Sequence, residues 1–279
     1  MVNVSDYDLR SLQHERRMLE LYRKGSAADA GLLQPLANAC WRAAAFEWRA
    51  NQDAPTVRLL WDEGARALAE GFVRRRSGFA RSGGQLFLAL HMAISARAFD
   101  VIKSLAYVPE SDLLSTNRAD GQGGSRQLLS AYRSVIRVVF ERDEQESGVA
   151  QRSLDESESR TNVDGRPEAI RSIAEESWEQ QEQSAMNELL RAIVKVSSDF
   201  TDDGPVEDFS SLMTEALNKL DQYVETRINH APKLYCWLPG IALSVLAQTA
   251  GLELSWVNSK ASIDEKRYLR LPSKLIGHS

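Results

Sequence analysis

The chain is poor in several residue types that usually announce a function. Only two cysteines, Cys40 and Cys236, stand among its 279 residues, about two hundred positions apart. That spacing offers neither a disulfide framework nor a zinc motif, so both are read as buried thiols in a reducing compartment. Histidine is almost as scarce. His14, His91, His230 and His278 do not pair at metal-ligand spacing, and no His-Glu-x-x-His is present. Sixteen glycines and eight prolines are too few for the turns of an all-β chain of this length. Long hydrophobic runs are missing too. The longest apolar-rich stretch, residues 237–254, is broken by Pro239 and Gly240 and carries Gln248 and Glu253. A membrane span needs about 20 mostly apolar residues, so no membrane role is expected. Bases are outnumbered, 34 against 39 acids, which speaks against a nucleic-acid partner. The first ten residues carry two acids before their first base and no apolar run, unlike a signal peptide. A cytoplasmic location is the expectation.

What is present is helical periodicity. Leu9, Leu12, Met18, Leu19 and Tyr22 recur at near-helical spacing and predict a helix from Ser5 or Asp6 to about Lys24. The cluster Arg10, Arg16, Arg17, Arg23 and Lys24 lies mostly off that stripe and reads as a solvated face. Leu33, Leu36, Ala37, Cys40, Trp41, Ala44 and Trp48 mark a second helix over about 32–51. Pro55 opens a third, to about Arg76, with Val57, Leu60, Trp61, Gly64, Leu68 and Phe72 on one side. Two shorter helices follow, over about 85–97 and 98–105, then another over about 126–141. Later helices are predicted over about 167–197, 206–229 and 239–251, the last apolar nearly all round. The tail from Lys266 is read as irregular, docked by Tyr268, Leu269, Leu271 and Ile276. The fold class is therefore all-α: an irregular bundle or a solenoid-like stack of antiparallel helical hairpins. No strict repeat of about 34 or 40 residues is found.

Residues 143–166 change character. Beyond Leu154 and Val163 they hold almost no large apolar side chain, and Ser, Glu, Asp and Arg dominate. Such composition buries too little apolar surface to offset chain ordering, so a flexible acidic insertion is expected. It divides a front helical half, 1–142, from a back half, 167–279, the two packing as one domain. Residues 143–182 contain twelve acids and four bases, a net −8 against −5 for the whole, leaving +3 for the remainder. One reading is a solvated linker and helix face. The sharper one is a lure for a basic partner, because a localised negative field speeds association with a positive one.

No constellation for chemistry emerges, and no catalytic residue, cofactor site or metal site is assigned. His91 sits beside Met92 on an apolar helix and reads as a core histidine. The segment Asp120-Gly-Gln-Gly-Gly-Ser-Arg126 faintly resembles a phosphate loop but lacks the Gly-Lys-Ser/Thr ending and a preceding strand, and reads as a plain loop. An enzyme built on His91 and this loop is the weakest of three readings.

Three segments carry a family resemblance. They are Arg58-Leu-Leu-Trp-Asp-Glu-Gly-Ala-Arg-Ala-Leu-Ala-Glu-Gly-Phe72, the helical pair from Leu86 to Ala106, and Leu238-Pro-Gly-Ile-Ala-Leu-Ser-Val-Leu-Ala-Gln-Thr-Ala-Gly-Leu252, followed by Tyr268-Leu-Arg-Leu-Pro272. Together, over about a third of the chain, they resemble the immunity protein 49 family of bacterial polymorphic toxin systems. Two departures stand out: Arg270-Leu271 intervenes before Pro272 in a Tyr-Leu-Pro ending, and the acidic insertion has no counterpart. The resemblance implies an all-α, non-enzymatic protein that binds one cognate toxin domain in the cytoplasm and blocks it. Charge then suggests a basic toxin, met by Glu175, Glu176, Glu179 and Glu182 on the long helix and secondarily by Asp202 and Asp203. The alternative is a helical scaffold or adaptor that binds peptides or regulatory partners.

Overall fold

Helix after helix forms where an apolar stripe can be covered by the next. The computed structural model describes residues 6–74, 77–113, 123–162, 178–197, 208–227, 236–254 and 272–277. Among these it contains α-helices and short 3-10 turns and no strand, so the fold is all-α. Among the described residues, no helix is long and apolar enough to cross a membrane. Contacts divide the chain into two units. The first comprises Met1–Thr116, His230–Val245 and Ser259–Ser279; the second comprises Asn117–Asn229 and Leu246–Asn258.

In the first unit, α1 (Asp6–Ser26), α2 (Leu33–Asn51), α3 (Ala54–Val73), α4 (Gly83–Ala96) and α5 (Phe99–Ala106) follow one another, each against its neighbour. Trp61, Leu68, Phe72, Leu86, Leu90, Met92 and Ile94 are fully buried between them. Fully burying one such side chain is worth about 1.5–3 kcal/mol. Gly64 is required where the helices crowd. A Cβ there would lie 2.9 Å from Met92 Sδ and 3.0 Å from Cys40 Cβ. Ser82 and Gln85 start α4 with a reciprocal capping box, which satisfies two of its orphan amides.

The basic face of α1 departs from expectation. Arg16 and Arg23 are not simply solvated. Arg16 donates to Glu47 Oε2 at 2.6 Å, and Arg23 forks onto both oxygens of Glu63 of α3 at 2.6 Å. Arg42 of α2 answers Glu15 at 2.7 Å, and Arg49 lies 3.6 Å from Asp8. Asp8, Glu15 and Glu47 are buried, so their charge has to be met across the seam. The periodicity identified the apolar stripe, but not the buried acids beside it.

In the second unit, α6 (Gly123–Glu141) and α7 (Glu144–Asn162) make a tight hairpin. Arg142, at φ 53°, turns the chain between them. Helix α8 (Trp178–Ser197) packs on both, and α9 (Phe209–Arg227) packs on α8. Residues 144–162, where composition suggests a flexible insertion, are helical, and the unit boundaries after Thr116, Asn229, Val245 and Asn258 group α6 with α7, α8 and α9. The physical reason is that a helix needs only a narrow seam. Ser147, Ala150, Leu154 and Ser157 recur at i, i+3, i+7, i+10 and are all buried. Their small side chains let α6 come close, and polar bonds finish the seam: Ser134 to Glu146 at 2.7 Å, Arg137 to Glu146, and Asn187 to Ser157 at 3.2 Å.

Helix α10 (Leu238–Thr249) is buried nearly all round, as its composition predicts. Near the C-terminus, α11 (Ser273–Ile276) is a single turn resting on α3, in place of an irregular tail. Ile276 is buried as expected, whereas Tyr268, Leu269 and Leu271 lie outside the described residues.

Candidate interaction surface

Among the described residues His91, Cys40 and Cys236 lie in the core, whereas His14 is exposed on α1. His91 is buried with its ring 5.6 Å from that of Phe87, and burial pushes its pKa down to about 3, so the imidazole is neutral at any physiological pH. Cys40 and Cys236 are buried, as expected, and not joined in a disulfide, and burial raises the Cys40 thiol far above its ordinary value. No group of three or more potential metal ligands is found among the described residues.

The surface of the first unit is more informative. Apolar side chains stand in solvent on α3 and α5: Leu59 is 69% exposed, Phe99 53% and Tyr107 49%. The outer edge of α3 continues from Leu59 through Asp62 to Arg66 at helical spacing. Arg66 then ties α3 to α5. Its Nε reaches both oxygens of Asp62 at 3.0 Å, while Nη1 and Nη2 grip Asp100 at 2.7 and 3.1 Å. The Arg66 guanidinium lowers the Asp100 carboxyl from its ordinary value, and the two carboxylates raise Arg66 in return. An exposed ion pair of this kind adds only about 0.2–1 kcal/mol of stability. Its larger effect is geometric. It fixes Asp100, and with it the start of α5 at Phe99, relative to α3. Exposed apolar groups and paired charges thus occur together on α3 and α5, the composition of a protein-binding patch.

The acids proposed from charge fare differently. Glu175, Glu176, Asp202 and Asp203 lie outside the described residues, as does the side chain of Glu179, whose backbone opens α8. Glu182 is half-buried on α8. Two acids of the same run are paired at the surface: Arg191 of α8 donates to Asp155 at 2.6 Å and to Glu158 at 2.9 Å. Part of the local negative charge is therefore neutralised within the unit. Leu59, Phe99 and Tyr107 were not picked out from the sequence. The available signal was position, since Leu59 falls outside the stripe set by Val57, Trp61, Gly64 and Leu68.

No family model, curated protein or solved structure matches the chain.

Proposed function

We propose that this chain is an immunity protein: it binds one cognate bacterial toxin domain in the cytoplasm of the producing cell and neutralises it in a stoichiometric complex. One observation carries the reading. Two of the segments that resemble the immunity protein 49 family, 58–72 and 86–106, fold within α3 and as α4–α5, pack together, are joined by Arg66, and leave Leu59 and Phe99 exposed, with Tyr107 exposed just beyond. Neutralisation of this kind needs a shaped, stiff surface and no reactive group. Exposed aromatic and aliphatic anchors supply dwell time in such complexes. The acids between Glu175 and Glu182, with Asp202 and Asp203, act on a basic toxin at longer range, speeding encounter in a salt-dependent way.

Growth rescue tests this directly. A toxin encoded next to this gene is induced with and without co-expression of the chain. The reading predicts that the chain restores growth and that Leu59→Glu with Phe99→Glu abolishes rescue while helicity is retained. Failure of the unmodified chain both to rescue and to bind its neighbour's product overturns it. Isolation of several unrelated peptide partners, and no toxin, points instead to the scaffold reading.

A further inference from the structure

A one-turn helix has no stability of its own, because nucleation fixes several residues for a single hydrogen bond. Helix α11 must therefore be held from outside. Two arginines hold it. Arg58 of α3 directs Nη2 at three main-chain carbonyls, those of Lys274 at 2.9 Å, Leu275 at 3.3 Å and Gly277 at 2.8 Å. Arg97, just past α4, donates to the carbonyl of Ile276. These are the carbonyls that a helix leaves unsatisfied at its C-terminal end. The grip is not restful. Burial lowers both guanidiniums from their ordinary values, and Arg58 lowers Arg97 further by repulsion. Arg97 also occupies the left-handed region, at φ 60°, in the position after a helix where glycine is the usual residue. A side chain is kept at a backbone position that disfavours one, and that side chain grips the segment. Within the segment, Leu275 and Ile276 are fully buried against the unit, and the turn itself closes with Leu275 N–H to Pro272 O at 2.9 Å and Gly277 N–H to Ser273 O at 2.7 Å.

We propose that Pro272–Gly277 is a releasable strap, clamped to the first unit by Arg58 and Arg97, whose opening bares the apolar seat of Leu275 and Ile276 beside α3. It opens locally, without unfolding the helices beneath it, as weakly nucleated segments do.

Amide hydrogen exchange on the full chain tests the strap. In the unmodified protein the amides of Leu275 and Gly277 are expected to exchange at least about a hundredfold faster than those of Leu90 and Ala93 in α4. In Arg58→Met/Arg97→Gly, exchange at Leu275 and Gly277 should rise at least about tenfold further, since hydrogen bonds from charged groups are lost, while α4 is unchanged. Arg97→Gly alone should speed strap exchange without lowering the melting temperature, because glycine suits that backbone position. Strap and α4 amides exchanging together in the unmodified chain would overturn the proposal, as would strap exchange unmoved in the double variant.

Discussion

Two seams, α3–α4 of the first unit and α6–α7 of the second, solve helix packing in different ways. In the first, large side chains carry the contacts: Trp61, Phe72, Leu86, Leu90, Met92 and Ile94 interdigitate, and ion pairs run along the α1–α2 edge of the same unit. In the second, α7 meets its neighbours through Leu154 and the small residues Ser147, Ala150 and Ser157, a narrow seam closed by side-chain hydrogen bonds. The lesson is that burial and hydrophobicity are separable. A helix rich in acids and serines can still have a buried face, provided the face is narrow and its polar atoms are answered. The first seam is deep and costly to empty. The second is shallow and costly to fill.

That contrast can be broken from either side. Trp61→Ala, which empties a fully buried site, should cost about 3–5 kcal/mol, measured by urea denaturation. Ala150→Leu should cost about 1–3 kcal/mol for the opposite reason, because the α6–α7 seam has no room for the added atoms. If Ala150→Leu is neutral or stabilising, the second seam is not close-packed and the contrast falls. A pH-dependent effect belongs to His91 in the first unit. His91 has a folded pKa near 3, below its unfolded value of about 6.5, so the unfolded chain binds the extra proton between these pH values. Stability should therefore fall as pH drops through that window, by at most about 1.4 kcal/mol per pH unit from this group. His91→Leu should flatten that part of the profile. Arg66→Ala, on the exposed α3–α5 face, should be the mildest, about 0.2–1 kcal/mol, and should weaken partner binding more than it weakens the fold.

Much of the first unit was legible in the sequence because its helices follow the simplest rule, one large apolar stripe per helix. Periodicity predicted α2 over about 32–51 and Pro55 early in α3, and the helices run over Leu33–Asn51 and Ala54–Val73. The same rule misread 144–162, where it found no stripe to count. It also gave no sign that α11 forms, since a single turn has no period and depends on arginines about 180–220 positions away. The candidate face was less legible still. Leu59 looks like any leucine on an amphipathic helix. Only the tertiary packing of α3 shows it to be exposed, and the link from Arg66 to Asp100 spans 34 positions. The charge map predicted where acids concentrate but not that Asp155 and Glu158 would find Arg191.

The central claim is that the α3–α5 face engages a toxin domain, and a hydrogen-exchange footprint of the complex with the adjacent gene's product measures this most directly. The account predicts one toxin per chain and slowed exchange concentrated in residues 55–66 and 97–107. Protection confined to other helices, with those two stretches unchanged in a stable complex, would contradict it.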